Sequence, residues 1–378
     1  MLNNDKVNAL LKRAQREVDA GLLPSCQLAL AQDGKVVVHE AFGDATTDTR
    51  YVIFSATKPV VAGAVWMLIQ EGKLDVSKPV ADYIPEFGTN GKDVVTVEQV
   101  MLHTSGFPHA PLGPPDWNTR DSRLRRFAEW RLNWEPGTAF EYHPTSAHWV
   151  LAELIDRLSG IDYRRFIAER ITGPLGIPRL QVGVPAGEQG DIAELALCGD
   201  ELTPDELEAA LGIRELPASE VTDAVLVGFN DSSAREVGVP GGGGISRAAE
   251  LALYYQALLH NTGDLWDPAL LQDVTSRVRQ NYPDKMLGTP AMRSLGLVIA
   301  GDDGQSFMRG MGRTVSPRAF GHNGAAGQIA WGDPATGLSF VYLTNGIDRN
   351  IIRQYRRGTA VASLAAECAT SATSATGS

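Results

Sequence analysis

The chain has 378 residues, of which 43% are hydrophobic and 21% charged, and this composition is ordinary for a globular protein of one or two domains. The formal net charge of −11 disfavours nucleic acid as the main partner, because binding to phosphates requires a basic surface. We find no apolar run long enough to span a bilayer and no secretory signal pattern, and therefore expect a cytoplasmic protein without a membrane partner.

The first fifth of the chain predicts a helix, a β-hairpin and a second helix. The hairpin signal is an Asp33-Gly34 turn between two short apolar runs, and the second helix has apolar residues at helical spacing until Gly72 ends it. The predicted elements are a helix over 5–20, strands over Cys26–Ala31 and Val36–His39, an extended segment Tyr51–Ser55 and a helix over Ala56–Glu71.

The middle of the chain predicts mainly helices, and its end predicts strands and one more helix. An acidic stretch over 190–223 has two interpretations, a solvated helical surface or a cap that shapes a substrate pocket. The predicted helices are 96–103, 120–131, 146–159, 162–170, 247–260 and 350–367, and the late strands are Leu295–Ala300, Gly327–Trp331 and Leu338–Thr344.

Strands from both ends of the chain predict one sheet, with the helical middle as an insertion. The expected fold is α+β, an α/β sandwich with a central antiparallel sheet flanked by helices. The predicted sheet domain covers 1–75 and 290–368. The predicted helical domain covers 76–289 and includes a cap at about 180–240, and 369–378 is expected to be a disordered tail. Such a layout places an active site in the cleft between the two parts.

One pair of residues predicts nucleophilic catalysis. A serine needs a neighbouring base, and no serine here lies in the G-x-S-x-G pattern of α/β-hydrolases. Ser55-Ala56-Thr57-Lys58 is the one S-x-x-K in the chain, and residues three apart on a helix share a face. A lysine among apolar residues loses hydration, which would lower its pKa and make it a base. A helix N-cap serine beside a surface lysine is the structural alternative.

Two further segments give this pair a context. Tyr142 precedes a predicted helix and could relay a proton between Lys58, Ser55 and the leaving group, although a packed aromatic is the alternative. In Gly321–Gly327 the small residues would let the backbone approach a substrate. The backbone N–H groups of Ala325 and Ser55 could then form an oxyanion hole. His322 is either a substrate contact or a structural histidine.

These three segments, in this order, resemble the serine β-lactamase and penicillin-binding-protein superfamily, whose signatures include S-x-x-K and K-T-G. The resemblance covers nearly the whole chain and is greatest to class C β-lactamases and the family VIII carboxylesterases. It implies a β-lactamase/transpeptidase-like fold, with Ser55 as the nucleophile and Lys58 and Tyr142 as base and acid. It also implies an oxyanion hole at Ser55 and Ala325, and substrate contacts from the third motif, His322-Asn323-Gly324.

Two departures from the β-lactamase pattern favour an ester as the substrate. Pro144 replaces the asparagine that in β-lactamases lies two residues after the tyrosine and contacts the lactam amide. His322 replaces the lysine of K-T-G, and a neutral histidine anchors a carboxylate less well than a lysine. We therefore expect a carboxylesterase acting on a small-molecule ester. A β-lactamase, a D-amino-acid peptidase or amidase, and an acyltransferase remain open as alternatives.

Other classes of function find less support in the sequence. A non-catalytic binding protein on this scaffold should have lost its nucleophile or base, whereas Ser55, Lys58 and Tyr142 are all present. We expect no cofactor and no metal, because no histidine pair has the H-x-x-x-H or H-E-x-x-H spacing. The three cysteines, which predict neither a disulfide framework nor a zinc site, are Cys26, Cys198 and Cys368.

Overall fold

A computed structural model describes residues 2–215 and 220–369. The longer strands are those of the N-terminal hairpin and of the C-terminal region, and several short strands lie between them. In chain order the strands are β1 (Ser25–Gln32), β2 (Lys35–Gly43), β3 (Tyr51–Phe54), β4 (Gln181–Val182), β5 (Ala196–Cys198), β6 (Gly244–Ser246), β7 (Pro283–Asp284), β8 (Thr289–Pro290), β9 (Val298–Ile299), β10 (Phe320–Gly321), β11 (Ile329–Asp333), β12 (Leu338–Thr344) and β13 (Gly346–Asp348).

Helices fill most of the middle of the chain and also open and close it. Short 3₁₀ turns connect several of them, and two of these turns belong to the candidate site below. In chain order the helices are α1 (Asn4–Asp19), α2 (Lys58–Gln70), α3 (Val97–Met101), α4 (Arg120–Glu129), α5 (Ser146–Ser159), α6 (Tyr163–Ile167), α7 (Pro204–Leu211), α8 (Asp223–Val227), α9 (Ser232–Val237), α10 (Ala248–His260), α11 (Pro268–Ser276) and α12 (Ile351–Ala366).

The main sheet combines strands from both ends of the chain, as predicted. Its six strands are all antiparallel and lie in the order β2, β1, β12, β11, β10, β9. The hairpin that starts the sheet turns at Asp33 and Gly34, whose φ values of 53° and 74° fit a two-residue turn. The predicted α+β fold with a central antiparallel sheet is therefore confirmed.

Side chains of β1 alternate between two cores, as they do on a strand that is buried on both faces. Leu28 and Leu30 pack in the core that contains Leu10 of α1 and Val361 of α12. Ala29 and Ala31 lie on the opposite face, in the core that contains α2 and α10. The small alanines let α10 lie close to the sheet, where the Gln256 side chain donates hydrogen bonds to the Ala31 carbonyl and the Ser339 hydroxyl. The sheet is thus covered by helices on both faces.

Helix α2 is buried on every side along most of its length, which explains its almost entirely apolar sequence. The sequence predicts this helix from Ala56, but the α-helix begins at Lys58 and a 3₁₀ turn over Ser55–Thr57 precedes it. Pro59 lies in the first turn of the helix, where its fixed φ is favourable and its missing N–H costs no hydrogen bond. Residues three apart also align on a 3₁₀ turn, so Ser55 and Lys58 still lie side by side although the α-helix begins later than predicted.

Two late strands are shorter or shifted relative to the prediction. Only Val298–Ile299 of the segment 295–300 forms a strand, because Gly296 has φ of 91° and the Leu295 carbonyl accepts a hydrogen bond from the Trp66 indole instead. Strand β11 begins at Ile329 rather than Gly327, because Ala325–Gly327 forms a 3₁₀ turn. Tertiary contacts have overridden the local strand propensity at both places.

The predicted domain boundaries remain predictions. Helix α10 falls in the range assigned to the inserted domain, although it packs on the main sheet. In the predicted tail, Ala369 pairs with Leu2, and residues 370–378 lie outside the described residues. Over 2–215 and 220–369, every helix is too short or too polar to cross a membrane.

We predict that Trp66→Ala lowers the free energy of unfolding by about 3–5 kcal/mol, the usual cost of replacing a large buried aromatic with alanine. The Trp66 ring is 0% exposed and meets the Trp266 ring edge to face at 6.1 Å. Urea unfolding followed by circular dichroism measures the change. Val94, whose side chain is 59% exposed, supplies the control Val94→Ala, which should change stability by less than about 0.5 kcal/mol. Equal unfolding midpoints for the two variants would contradict the prediction.

Candidate active site

Ser55 lies at a strained turn between β3 and α2. The preceding residue, Phe54, has φ of 44°, a backbone region that costs non-glycine residues about 1–3 kcal/mol. The Thr57 hydroxyl holds the turn, since it donates to the Phe54 carbonyl at 2.6 Å and accepts the Gly244 N–H at 2.8 Å. As the first residue of the 3₁₀ turn, Ser55 has an N–H that the turn itself leaves without a partner.

The Lys58 amine is buried next to the Ser55 hydroxyl. Its Nζ lies 3.2 Å from Ser55 Oγ, and it donates to the carbonyl oxygens of Pro144 at 2.7 Å and Gly241 at 2.6 Å. A carbonyl can only accept a hydrogen bond, so these two contacts occupy two N–H groups whatever the charge of the amine. The remaining position on the nitrogen faces Ser55. It holds a proton when the amine is charged and a lone pair when it is neutral.

Burial is also the main reason that the pKa of Lys58 falls well below its usual value of 10.5, and the positive charge of Arg293 lowers it further. The side chain is 0% exposed, and its polar contacts are neutral groups. A neutral amine whose lone pair points at a serine hydroxyl is the arrangement that a general base requires.

A glycine-rich segment, 241–244, brings one of these carbonyls to the lysine. A Cβ added at Gly241 would lie 2.7 Å from the Pro144 carbonyl oxygen and 3.5 Å from Lys58 Nζ. A Cβ at Gly244 would lie 2.5 Å from the Thr57 hydroxyl oxygen. The absence of side chains here lets the backbone approach both the lysine and the serine turn.

The Tyr142 ring packs against the Lys58 amine, with Nζ 4.9 Å from the ring centroid. Burial raises the pKa of the phenol to about 12, while Arg293 and the Ser55 hydroxyl oppose that rise. The hydroxyl is buried and lacks a partner at hydrogen-bonding geometry among the described residues. A neutral phenol near Ser55 and Lys58 is free to bond to a substrate and to pass a proton to it.

Three buried histidines form a cluster in which His103 packs against the Tyr142 ring and His143 and His148 pack against His103. Burial is the largest cause that lowers the pKa of each. His143, whose pKa falls to about 3, donates from Nδ1 to the Glu141 carbonyl and accepts the Phe107 N–H at Nε2. His103 accepts the His143 N–H at Nδ1. In the part of the chain that is described, both ring nitrogens of His148 lack a partner. Sequence reasoning considered these histidines only as metal ligands and missed their position here.

The third motif lies beside the tyrosine and the serine turn. The His322 and Tyr142 ring centroids are 5.9 Å apart. A Cβ at Gly324 would collide with the Ile53 carbonyl oxygen, so this glycine lets the segment pack against β3. Ala325 begins a 3₁₀ turn, and its N–H is therefore not used by that turn. These positions are compatible with the predicted oxyanion hole of Ser55 and Ala325, which stays a prediction.

The His322 ring differs from the sequence-based expectation in one respect. Its Nδ1 lies 2.7 Å from the Asn323 carbonyl oxygen and its Nε2 lies 3.1 Å from Nη1 of Arg293. Both nitrogens are therefore engaged within the protein, and the ring faces the site without a free nitrogen. The Asn323 residue is exposed. The assignment of substrate contacts to His322, Asn323 and Gly324 remains a prediction.

Arg293 is a site residue that sequence reasoning missed. Its guanidinium carbon lies 5.3 Å from the centroid of the Tyr142 ring, and the residue is 9% exposed. Nothing in its local sequence marks it, because its contact with His322 spans 29 residues. It brings to the site a positive charge that the third motif lacks.

The acidic stretch reaches the edge of the site at one point. His109 lies 2.8 Å from a carboxylate oxygen of Glu141, the neighbour of Tyr142, and 3.4 Å from one of Glu220. These side chains are largely exposed, so the contacts contribute little to stability. They nonetheless place Glu220 close to the tyrosine loop, which is compatible with the cap interpretation.

Comparison with known proteins identifies the family. The family model described as Beta-lactamase matches residues 11–363, nearly the whole chain. The chain belongs to the beta-lactamase family. The predicted relationship to the serine β-lactamase and penicillin-binding-protein superfamily is confirmed.

Individual members of the beta-lactamase family differ in the activity their names give. Esterase/beta-lactamase LipL of Mycobacterium tuberculosis is 28% identical over 345 residues, covering 84% of this chain and 76% of LipL. A putative D-alanyl-D-alanine carboxypeptidase of Salmonella agona is 27% identical, with 91% of this chain and 83% of the relative covered. The solved structure of a family VIII carboxylesterase aligns with a TM-score of 0.76 and 25% identity over 94% of this chain and 96% of that chain.

We predict that kcat/KM for a neutral ester rises with pH and reaches its plateau well below pH 10. The sign follows from the lowered pKa of Lys58, because a lysine that acts as general base must be neutral, and the neutral amine forms as pH rises through that pKa. Lys58→Met should lower kcat/KM by about 10²–10⁴-fold on the plateau. A pH profile of initial rates measures both, with circular dichroism at each pH as the control for folding. A rate that still climbs through pH 10 would contradict the assignment.

Proposed function

We propose that this protein is a carboxylesterase that cleaves small carboxylic esters through an acyl-enzyme on Ser55. The observation that carries the proposal is the Lys58 amine, which is fully buried, bound by two carbonyl oxygens and directed at Ser55 Oγ from 3.2 Å. A lysine with only a structural role would not need the third position on its amine nitrogen to face a hydroxyl. The esterase names of LipL and of the solved carboxylesterase support the same class of reaction.

In the proposed mechanism, acylation takes two steps, addition of Ser55 and loss of the alcohol. The neutral Lys58 amine takes the proton of the Ser55 hydroxyl while Oγ forms a bond to the ester carbonyl carbon. The carbonyl oxygen becomes an oxyanion, which the N–H groups of Ser55 and Ala325 would stabilise. The carbon–oxygen bond to the alcohol then breaks, Tyr142 gives its proton to the leaving oxygen, and the Lys58 ammonium restores the proton of Tyr142. The products are the free alcohol and an acyl group on Ser55.

Deacylation reverses these proton transfers with water in place of the alcohol. Water attacks the acyl carbon, its proton passes through Tyr142 and Lys58, and the bond to Ser55 Oγ breaks as Oγ regains a proton. A second alcohol could replace water in this step, so acyl transfer is chemically adjacent to hydrolysis. The balance between them depends on which nucleophile enters the site.

An ester fits the site better than a lactam for two reasons. Pro144 lies where the β-lactamase pattern has an amide-binding asparagine, and its carbonyl is already bonded to Lys58. Burial keeps the pKa of His322 well below its usual value of 6.5, so this residue is uncharged at neutral pH. The tyrosine motif therefore lacks the amide side chain of the β-lactamase pattern, and the first residue of the third motif is not a cation.

We expect Ser55→Ala to lower hydrolysis of a nitrophenyl butyrate by at least about 10³-fold, since removing a serine nucleophile abolishes the covalent route. Release of nitrophenolate at saturating substrate measures the loss. The matched control is Ser77→Ala, an exposed serine outside the site, which should retain wild-type turnover. Full activity in Ser55→Ala would overturn the proposal.

Amide hydrolysis of a substrate that carries a carboxylate is the second candidate function. The observation that favours it is the Arg293 guanidinium near Tyr142, because arginine is well suited to bind a carboxylate. The carboxypeptidase name of the Salmonella relative agrees with this alternative.

Three substrates separate the two candidates: nitrophenyl butyrate, a chromogenic cephalosporin and a D-alanyl-D-alanine peptide. The esterase proposal predicts the highest kcat/KM for the neutral ester, because its leaving group is the best and it needs no anion site. Faster turnover of the cephalosporin or the peptide than of the ester would establish the second candidate instead. Ser55→Ala serves as the blank for all three substrates.

A further inference from the structure

Arg293 is buried beside the site without a carboxylate partner. Its backbone is fixed by pairing with Gln280 and Val298, so its side chain starts from a rigid position. Among the described residues, its buried Nε has no hydrogen-bond partner, and the carboxylate that acts on it, Asp284, does so through its charge alone. Burial lowers the pKa of Arg293, but the arginine stays charged, because a guanidinium does not lose its proton in proteins. A buried, permanent and unpaired cation is costly, and such a group calls for a functional explanation.

The guanidinium fixes the state of His322. It can only donate hydrogen bonds, so the 3.1 Å contact requires that Nε2 of His322 accept. Nδ1 must then carry the proton that it donates to the Asn323 carbonyl at 2.7 Å. Protonation of Nε2 would break the contact and place two cations together. His322 is therefore held neutral in one tautomer.

The same guanidinium also lies near Lys58, because both cationic groups contact the Tyr142 ring. Arg293 Cζ is 5.3 Å and Lys58 Nζ is 4.9 Å from the centroid of the Tyr142 ring, so the two cationic groups are no more than about 10 Å apart. Two positive charges at this separation, in a site shielded from water, repel each other. Since arginine cannot give up its proton, the lysine is the one that does.

We propose that Arg293 is a positioning residue that keeps Lys58 in its neutral, proton-accepting form and holds His322 as the Nδ1-protonated tautomer. This inference rests on the proposed function, in which Lys58 accepts the proton of Ser55. The superfamily signature supplies a lysine at the first position of the third motif, which is His322 here. In this chain the Arg293 guanidinium, which comes from a different segment, places a positive charge beside His322.

The other titratable groups around this pair do not replace that charge. Burial holds the four histidines uncharged at neutral pH and Tyr142 protonated, and Asp284 acts on Arg293 only at longer range. The groups that face Lys58 or Arg293 are His103, Tyr142, His143, His148, Asp284 and His322. Arg293 is the permanent cation among them.

The test compares the pH dependence of kcat/KM for nitrophenyl butyrate in the wild type, Arg293→Met and Arg293→Lys. A neutral substrate excludes any effect of Arg293 on binding of a substrate anion. One charge at about 10 Å changes the pKa of a neighbour by about one unit at an effective dielectric constant of about 20. Arg293→Met should therefore move the acidic limb of the profile up by about one pH unit. Arg293→Lys should move it in the same direction and by no more than Arg293→Met does, because the buried lysine keeps the charge only while its own amine is protonated.

The matched control is Arg279→Met, which removes a partly buried arginine whose backbone pairs with that of Arg293 but whose side chain binds Glu98 and Asp273. The acidic limb of the pH profile of Arg279→Met should lie at the same pH as that of the wild type. An unchanged limb in folded Arg293→Met, or equal shifts in Arg293→Met and Arg279→Met, would overturn the inference.

A measurement without turnover separates this inference from the proposed function. The ¹³Cε resonance of Lys58, assigned with Lys58→Met, reports the charge of the amine directly, and Arg293→Gln provides a second uncharged variant. We expect Lys58 to titrate about one pH unit higher in Arg293→Gln than in the wild type. Identical titrations in the two proteins would overturn the inference, even if Ser55→Ala is inactive. Activity in Ser55→Ala would instead overturn the proposed function, and the titration would still test the effect of Arg293 on Lys58.

Discussion

The site depends on how three oxygen atoms surround the nitrogen of one buried lysine. Two are backbone carbonyls, from Pro144 and Gly241, and the third is the hydroxyl of Ser55. The carbonyls orient the amine, and burial removes the water that would otherwise stabilise its charge. The lone pair of the neutral amine therefore points at the serine before any substrate arrives. In the proposed mechanism, packing and backbone geometry are therefore what activate Ser55.

Several features of the fold serve to keep that geometry. The glycines at 241 and 244 allow two stretches of backbone to approach the start of α2, and Thr57 links that start to β6 through the Gly244 N–H. These contacts hold the strained backbone at Phe54, which displays Ser55 at the end of β3. A strained residue persists only where its surroundings fix it. The surroundings here are the buried helix α2 and the sheet of β3, β6 and β4.

Much of this architecture could be predicted from the sequence, because its signals are local. The Asp33-Gly34 turn, the apolar helix α2 and the strand β12 each follow from patterns within a few residues. The pairing of Ser55 with Lys58 follows from their spacing of three, which holds on a 3₁₀ turn as it does on an α-helix. The limits of β9 and β11 were wrong by a few residues, because contacts with Trp66 and the turn at Ala325 decide where those strands begin.

The electrostatic part of the site could not be predicted, because its contacts join distant segments. Arg293 meets His322 and Tyr142 only in the folded chain, and no motif marks it. The histidines near Tyr142 also come from different segments. Their spacing in the sequence matches no metal-binding motif and does not indicate that they cluster. The two carbonyls on Lys58 are backbone groups that any residue supplies, so no side-chain pattern could identify them.

The rate at which a nitrophenyl phosphonate labels Ser55 tests the central claim most directly. The reagent reacts once with an activated serine, and peptide mapping by mass spectrometry locates the adduct. The account predicts a single phosphonyl group on Ser55 of the wild type, with labelling slowed by about 10²-fold or more in Lys58→Met. A label on another residue, or equally fast labelling of Ser55 without the lysine, would contradict it.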